Sequence, residues 1–283
     1  MGEDLFGRLS AYIEATVGIR MPPEKRIMLQ ARLMKRMRKL GHSSYQEYAD
    51  FAFSRAGAGV ELPLMIESVT TNLTDFFREP VHFDFLVQTG LGELIHRFGK
   101  RLRFWSAGCA TGQEAYSLAM VLEEYRAGHP GFDFEIVGSD LSTTALEVAR
   151  RAVYSKLEVG AVPMSLSKKY LVESVEHGAG SVRVAPELTR RVEFRRLNFM
   201  DEAYAAHGPF HLVMCRNMLI YFHPQVQERV VRRIATCVRP GGYLFIGHVE
   251  TLSQMKTPFI PVKDTIYQLP APASPVGGEV ARR

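Results

Sequence analysis

Hydrophobic and polar residues follow two different periods along this chain, and the change falls near residue 75. Up to that point, apolar residues recur at helical spacing, with breaks at Pro22-Pro23 and in RAGAG at 55–59. Beyond residue 80, short apolar runs alternate with amphipathic segments. The pattern predicts an all-helical domain over residues 1–75, followed by a domain of strands and helices over residues 76–269.

Strands and helices alternate in the predicted second domain. We predict strands at 101–108, 134–140, 210–217, 241–250 and 266–269, and helices at 113–127, 144–154 and 224–238. This order favours an α/β fold, in which helices cover both faces of a parallel sheet. Residues 174–195 depart from it, because glycine-rich turn signals separate short valine-containing runs; they predict a small inserted antiparallel β-subdomain. The tail at 270–283 is rich in Pro, Gly and Ala, and we expect it to be disordered.

Composition narrows the class of protein. The chain is 46% hydrophobic and 23% charged, as expected of a packed globular protein. It lacks an apolar run of the roughly 20 residues that cross a bilayer, and its acidic N-terminus is unlike a signal peptide. The cysteines Cys109, Cys215 and Cys237 have neither disulfide-framework nor zinc-site spacing. We therefore expect a cytoplasmic protein that has no metal site and does not insert into a membrane.

The net charge of +5 is unevenly distributed. Residues 23–41 form a predicted amphipathic helix whose only acid is Glu24. Its basic residues are Lys25, Arg26, Arg32, Lys35, Arg36, Arg38 and Lys39. Such a face is either simply solvated or a docking surface for an acidic protein helix, a nucleic acid or a lipid surface.

The stretch FWSAGCATGQEAYSLA is typical of a nucleotide site. A predicted strand ends at Ser106-Ala107, and residues 108–112 turn into a helix. Small residues let a ligand approach the backbone, and the helix start offers free N–H groups. A dinucleotide site needs three spaced glycines, whereas only Gly108 and Gly112 are present. An adenosine ligand without a pyrophosphate fits better, and S-adenosylmethionine is the obvious candidate.

Two carboxylates near this turn are candidate ligand contacts. Asp140 ends the second predicted strand, where a carboxylate can accept both hydroxyls of a ribose. It could instead cap the following helix, or do both. Glu114 lies in the first turn of the helix at 113–127 and could face the polar end of the ligand. An acid at that position is also favourable with the helix dipole alone.

Polar residues follow two further strands. In LNF, Asn198 could bond an adenine edge while Phe199 supplies apolar contact. In CRNMLIYF, the polar residues Arg216, Asn217 and Tyr221 follow an apolar run. We expect these three to face a cleft, because burying an arginine without partners is costly.

The loop TTNLTDFFREP at 70–80 gathers hydroxyls, an amide, two aromatic rings and Arg78. Thr, Asn and Asp favour helix starts, and Pro80 suits the first turn of a new helix. By itself, the loop could therefore be only a connection that ends one helix and starts the next.

The motifs TTNLTDFFRE, WSAGCATGQEAYSLA, GSDLS, CRNMLIYF and GGYLFIGHVETL resemble the signatures of bacterial chemotaxis receptor methyltransferases, the CheR family. The resemblance runs from about residue 5 to residue 269. It implies an N-terminal helical domain joined to a Rossmann-like S-adenosylmethionine-dependent methyltransferase domain, with a small antiparallel subdomain inserted. The implied activity is methyl transfer to glutamate side chains of chemoreceptors, giving γ-methyl esters. The family's usual GHSE reads GHVE here, so no role is carried over to Val249, and none to Cys109.

The resemblance also implies site residues and partners. The cofactor contacts fall on Asn72, Thr74, Arg78, Glu114, Asp140, Asn198, Phe199, Arg216 and Asn217. Arg78 and Tyr221 resemble the pair that holds the acceptor near the methyl group, and the loop at 70–80 resembles a lid over the cofactor. The basic helix at 23–41 would dock acidic methylation helices. Residues 174–195 resemble a subdomain that, in some family members, adds a receptor C-terminal peptide as an extra strand, and the sequence leaves open whether this chain does so.

Two rival hypotheses stay open from the sequence. One is a methyltransferase acting on nucleic acid or a small molecule; however, CRNMLIYF lacks the Asn/Asp-Pro-Pro-Tyr pattern expected of amino-methylating DNA enzymes, so no nucleic-acid partner is expected. The other is a non-catalytic S-adenosylmethionine-binding regulator that docks receptors or signalling proteins.

Overall fold

A computed structural model describes residues 1–174, 180–202 and 208–271. Part of the predicted β-subdomain, at 175–179, and most of the predicted tail, at 272–283, lie outside the described residues. Among the described residues, no helix has the length and apolar character needed to cross a membrane.

The first domain is all-helical, as the periodicity predicts. Its helices are α1 (Glu3–Val17), α2 (Arg26–Lys39), α3 (Tyr45–Ala52) and α4 (Glu61–Val69), with a 3₁₀ turn at Pro23–Lys25. Fully buried Leu9, Ile13, Leu29, Leu33 and Met65 belong to a core separate from that of the second domain. Each of these residues lies on the inner face of its helix, so burying these faces together holds the bundle.

Arg36, a basic residue of α2, is paired inside the helical domain and is not a free surface cation. Arg36 donates through Nε to Glu61 Oε1 at 3.0 Å and also bonds Oε2. Tyr48 donates to the same carboxylate at 2.7 Å, and Glu61 is only 2% exposed. Arg36 therefore neutralises a buried carboxylate, a partner that sequence spacing does not reveal.

The second domain is built on a seven-stranded sheet in the order β6-β2-β1-β7-β8-β10-β9. The strands are β1 (Arg101–Ala107), β2 (Asp133–Asp140), β6 (Val192–Arg196), β7 (Phe210–Cys215), β8 (Val238–Ile246), β9 (Ile260–Lys263) and β10 (Ile266–Gln268). Neighbours from β6 to β8 are parallel, and β10 and β9 are antiparallel additions. The predicted parallel sheet is confirmed, and β9 is an edge strand that the sequence did not reveal.

Helices flank this sheet and bury two apolar clusters against it. They are α5 (Val81–Phe85), α6 (Leu91–Phe98), α7 (Gln113–Gly128), α8 (Thr143–Arg151), α10 (Pro186–Thr189) and α11 (Pro224–Cys237), with a π-helical turn at Leu86–Gly90 between α5 and α6. The predicted helix at 144–154 is too long, because α8 ends at Arg151 and Val153–Ser155 forms strand β3.

A small antiparallel sheet has the order β3-β5-β4, with β4 at Leu171–Glu173, β5 at Ser181–Val184 and helix α9 (Met164–Tyr170) before β4. It spans 153–184 and so does not coincide with the predicted range 174–195. Residues Val192–Arg196 instead pair in parallel with β2, with Phe194 opposite Gly138. Short valine-rich runs look alike in both sheets, and only the long-range partner distinguishes them.

The two domains contact each other above the carboxyl ends of the central strands. Arg20 N–H donates to the carbonyl of Tyr221 at 2.7 Å. Glu67, in α4, accepts hydrogen bonds from the N–H of Thr143 at 2.8 Å and from the hydroxyl of Thr144 at 2.9 Å. This carboxylate therefore satisfies one free N–H group at the start of α8, and the helical domain is held over the sheet.

Two histidines are buried against the sheet in the neutral form. His82 is fully buried, and burial followed by the nearby Arg216 lowers its pKa to about 4. His211 is 5% exposed, accepts a hydrogen bond from Arg103 N–H at 2.8 Å, and has its pKa lowered to about 4, mainly by burial and then by Arg239.

We expect Arg36→Ala to lower the free energy of unfolding by roughly 3 kcal/mol, because it leaves the buried Glu61 carboxylate without its cation. Lys39→Ala, at an exposed position on the same helix, should change stability by less than about 0.5 kcal/mol. Urea unfolding followed by circular dichroism measures both. Equal effects of the two substitutions would contradict the role of the buried pair.

The buried histidines predict an acid-sensitive fold. A histidine in the unfolded chain binds its proton near pH 6.5, whereas His82 in the folded protein binds it only near pH 4. The unfolded state therefore holds more protons between these values, and stability should fall as the pH falls through this window, by up to about 3 kcal/mol for His82. Melting temperatures from pH 7 to pH 4 test this. His82→Gln should flatten the profile, and an unchanged slope would refute the assignment.

Candidate active site

A cavity lies between the two domains, at the carboxyl ends of β1, β2 and β7. All ten residues predicted as contacts or catalytic groups line it: Asn72, Thr74, Arg78, Glu114, Asp140, Asn198, Phe199, Arg216, Asn217 and Tyr221. The structure thus brings the predicted residues together, while the role of each stays a prediction. Ligand sites of open α/β sheets lie at this edge, where the strand order reverses between β1 and β7.

The glycine turn after β1 forms one wall. Gly108 and Gly112 have φ angles of 84° and 98°, which favour glycine over any other residue. A Cβ at Gly112 would lie 2.9 Å from that of Ala149 and 3.0 Å from the Tyr154 hydroxyl. The turn therefore packs against Ala149 and Tyr154 at Gly112 and lines the cavity at Gly108. The backbone geometry favours glycine at both positions.

Asp140 stands at the end of β2 and fixes the neighbouring turns. Its Oδ2 accepts from Ala110 N–H and its Oδ1 from Ser142 N–H, both at 2.9 Å. Burial raises the pKa of this carboxyl, although these backbone donors oppose the shift. Ser142 rather than Asp140 caps α8, by accepting from Ala145 N–H, so the capping alternative for Asp140 is wrong. Each carboxylate oxygen keeps further acceptor capacity.

Glu114 and Arg216 form a buried ion pair across the floor of the cavity. Arg216 Nε donates to Glu114 Oε2 at 2.7 Å, and Ser106 donates to Oε1 at 2.6 Å. Arg216 is 7% exposed and Glu114 is 8% exposed. Both oxygens of Glu114 are thus engaged by protein donors, so the carboxylate positions the pocket as well as lining it.

The lid loop, residues 70–80, holds Arg78 in a strained backbone. Phe77 and Glu79, on either side of Arg78, have φ angles of 52° and 55°, which non-glycine residues rarely adopt. Arg216 Nη1 donates to the carbonyl of Arg78 at 2.6 Å. Within the described chain, the guanidinium of Arg78 has no hydrogen bond or ion pair of its own, and it faces the cavity. Strain of this kind persists only where surrounding bonds fix it.

Glu79 lies behind the lid in a charged cluster with His82, His248 and Arg216. Its buried Oε2 has no hydrogen bond and lies 3.7 Å from Arg216 Nη1, 3.5 Å from His82 Nδ1 and 4.0 Å from His248 Nε2. The glutamate and the two histidines have a spacing that could hold a metal ion. Arg216 already donates to His82 Nδ1 at 3.3 Å and supplies the positive charge there. Burial disfavours ionised Glu79, but the His248 N–H and Arg216 together lower the pKa of its carboxyl.

Asn198 and Phe199 line the cavity and also have partners within the protein. Asn198 donates through Nδ2 to the carbonyl of Thr16 at 2.8 Å, and its Oδ1 accepts from Met200 N–H at 3.0 Å. Its amide therefore joins the helical domain to the sheet, and the bond to an adenine edge stays a prediction. Phe199 is 6% exposed and stacks with Trp105, with ring centroids 6.4 Å apart, so it supplies an apolar wall.

The helical domain contributes a wall that sequence reasoning missed. Val17, Ile19, Met21, Lys25, Met28 and Arg32 all line the cavity. Lys25 donates to the carbonyl of Arg20 at 3.0 Å, and its ammonium lies 6.0 Å from the centre of the Tyr221 ring. Burial, followed by repulsion from Arg20 and Arg32, lowers the pKa of Lys25. The basic spacing of α2 was the available signal, but only the domain contact shows which of its cations face inward.

This arrangement suits transfer between two bound molecules. Carboxylates and N–H groups lie at the strand ends, apolar side chains line one wall, and Lys25, Arg32 and Arg78 add positive charge. Such a cavity can orient a ligand, attract an anionic acceptor and exclude water.

Comparisons with known proteins agree with this geometry. The family models described as "CheR methyltransferase, all-alpha domain" and "CheR methyltransferase, SAM binding domain" match residues 4–70 and 72–268. The chemotaxis protein methyltransferase of Escherichia coli strain K12 is 35% identical over 264 residues, covering 93% of this chain and 90% of that protein. Chemotaxis protein methyltransferase 1 of Pseudomonas aeruginosa strain PAO1 is 37% identical over 255 residues, covering 88% and 91%.

Among solved structures, an O-methyltransferase family protein from Burkholderia thailandensis is 18% identical, with a TM-score of 0.36, and the alignment covers 87% of this chain and 66% of that one. At this score it adds nothing to the assignment. The two family models together match nearly all of the described chain. With the glycine turn, Asp140 and the lid around one cavity, the chain belongs to the CheR family of S-adenosylmethionine-dependent chemotaxis methyltransferases.

Proposed function

We propose that this protein transfers the methyl group of S-adenosylmethionine to glutamate side chains of chemoreceptors, forming γ-methyl esters. The observation that carries the proposal is the guanidinium of Arg78, which faces the cavity without a partner among the described residues. An arginine left unpaired beside a cofactor pocket is suited to a carboxylate acceptor, because its planar donors match the two carboxylate oxygens.

The proposed reaction needs no general base. A glutamate carboxylate, with an ordinary pKa of about 4.3, is already ionised at neutral pH and can attack the sulfonium methyl directly. The oxygen forms a bond to the methyl carbon while the carbon–sulfur bond breaks, and S-adenosylhomocysteine leaves. The residues of the site then have to align oxygen, carbon and sulfur and keep water out.

Arg78 must position the acceptor without deactivating it. A pair with both carboxylate oxygens would stabilise the nucleophile as well as orient it. In the proposal, Arg78 holds the oxygen that does not attack, and Tyr221, which also lines the cavity, limits where the acceptor chain can lie. The strained backbone of Phe77 and Glu79, fixed by Arg216, sets the direction of the Arg78 side chain.

The face of α2 that can dock an acidic receptor helix is narrower than the sequence suggests. Arg36 is paired with Glu61, and Arg32 bonds the lid. Lys35, Arg38 and Lys39 are exposed, so in the proposal these three form the docking face. Strand addition by a receptor C-terminal peptide involves residues 174–195, part of which lies outside the described residues, and it stays a prediction.

Arg78→Ala should reduce turnover by about 100-fold, because the acceptor loses its anchor while the cofactor pocket stays formed. Incubation of a receptor cytoplasmic fragment with methyl-labelled S-adenosylmethionine measures this, and alkali should release the label as methanol. Arg55→Ala, an exposed arginine away from the cavity, serves as the control and should keep wild-type turnover. Alkali-stable label would rule out the ester, and near-normal turnover of Arg78→Ala would rule out its role.

Replacing Lys35, Arg38 and Lys39 together by glutamate should raise the KM for the receptor roughly ten-fold at low ionic strength, and by less in high salt, because salt screens exposed charges. Steady-state methylation at varied receptor concentration gives the KM. A charge-matched control replaces the exposed Arg55, Arg151 and Lys263 by glutamate. An equal rise in both triple variants would mean that only net charge matters, which contradicts a docking face on α2.

A further inference from the structure

Arg32 of α2 holds the start of the lid loop. Its guanidinium donates to the carbonyls of Val69 and Thr70, the latter at 3.1 Å, and to the hydroxyl of Thr71 at 2.9 Å. Val69 is the last residue of α4, where carbonyl groups have no intrahelical partner. A side chain from one helix thus caps the end of another, at the point where the chain leaves the helical domain for the cofactor cavity.

The other restraints on the lid lie at its far end, where Phe76 is buried in the core of the second domain. Residues 71–78 form no backbone–backbone hydrogen bond with the described part of the chain. Ser117 accepts from the N–H of Phe77 at 2.9 Å, and Arg216 bonds the carbonyl of Arg78. The far end of the lid is therefore fixed by the sheet domain, and the near end is fixed by Arg32.

Asn72 and Thr74 lie between these two anchors and line the cavity. A segment without regular structure keeps a defined position only if its ends are held, since ordering each residue costs conformational entropy. We propose that Arg32 is a positioning residue, which holds the lid against the cofactor through Val69, Thr70 and Thr71 and thereby sets the affinity for S-adenosylmethionine.

The proposal concerns the cofactor side of the proposed function and does not depend on which acceptor is methylated. It also separates Arg32 from the exposed cations of α2. A cation that contacts only the acceptor would alter the KM for the receptor and leave cofactor binding unchanged. A cation that holds the lid alters cofactor binding in the absence of any receptor.

Isothermal calorimetry of the full chain with S-adenosylmethionine tests this without a receptor. Arg32→Gln should raise the Kd by about ten-fold, because three charge-assisted hydrogen bonds to the lid are lost. Arg26→Gln is the matched control, because it makes the same chemical change on the same helix. Among the residues that the structure describes, Arg26 pairs only with the exposed Glu3, and it does not line the cavity. Its Kd should stay within about two-fold of wild type.

A double-mutant cycle tests whether Arg32 acts through the lid. Thr71→Val removes the hydroxyl that Arg32 bonds, so its effect on the Kd should be smaller in the Arg32→Gln background than in the wild type. A Kd for Arg32→Gln like that of the control, or independent effects of the two substitutions, would overturn the proposal.

If the melting curve shows that Arg32→Gln is unfolded, the Kd of Arg32→Lys is measured instead. This variant keeps the charge but not the fork of donors, and should still raise the Kd by about three-fold; an unchanged Kd would overturn the proposal.

Discussion

The site depends on one buried guanidinium. Arg216, at the end of β7, pairs with Glu114 at the start of α7, approaches Glu79 and bonds the carbonyl of Arg78. A single cation thus joins the sheet, the helix after the glycine turn and the lid. Leaving either carboxylate buried without it would cost several kcal/mol, so the three elements keep one arrangement. The cluster with His82 and His248 extends this network behind the lid.

The remaining constraint is the contact between the domains. The cavity has a floor of strand ends and a roof made of α1, the 3₁₀ turn and α2, so neither domain encloses a ligand alone. Three hydrogen bonds fix the position of this roof. Glu67 accepts from the start of α8, Arg20 N–H donates to the Tyr221 carbonyl, and Asn198 donates to the Thr16 carbonyl. These groups need touch no ligand to affect its binding. Because of the same arrangement, helix α2 has exposed cations on one side and contributes Met28 and Arg32 to the cavity on the other.

Much of the site could be predicted because strand ends and tight turns leave local signals. Gly108 and Gly112 have positive φ angles, and Asp140 ends a strand at the edge where such sheets bind ligands. Glu114, Arg216, Asn217 and Tyr221 lie where the motifs placed them. The intramolecular partners were missed for a shared reason. Arg36 bonds Glu61, Arg32 bonds the lid carbonyls and Asn198 bonds Thr16; these partners are distant in sequence and are set by packing.

The small sheet shows the same division. Its strands are short, and a run such as 181–184 differs little from 192–196 in composition, yet one pairs in the small sheet and the other in parallel with β2. By itself the sequence determined the two domains, the class of the sheet and the residues at the strand ends, because periodicity, turns and caps are local properties. Tertiary structure alone decided which cations are exposed, which are paired and which line the cavity, because packing determines which partner each charged side chain meets.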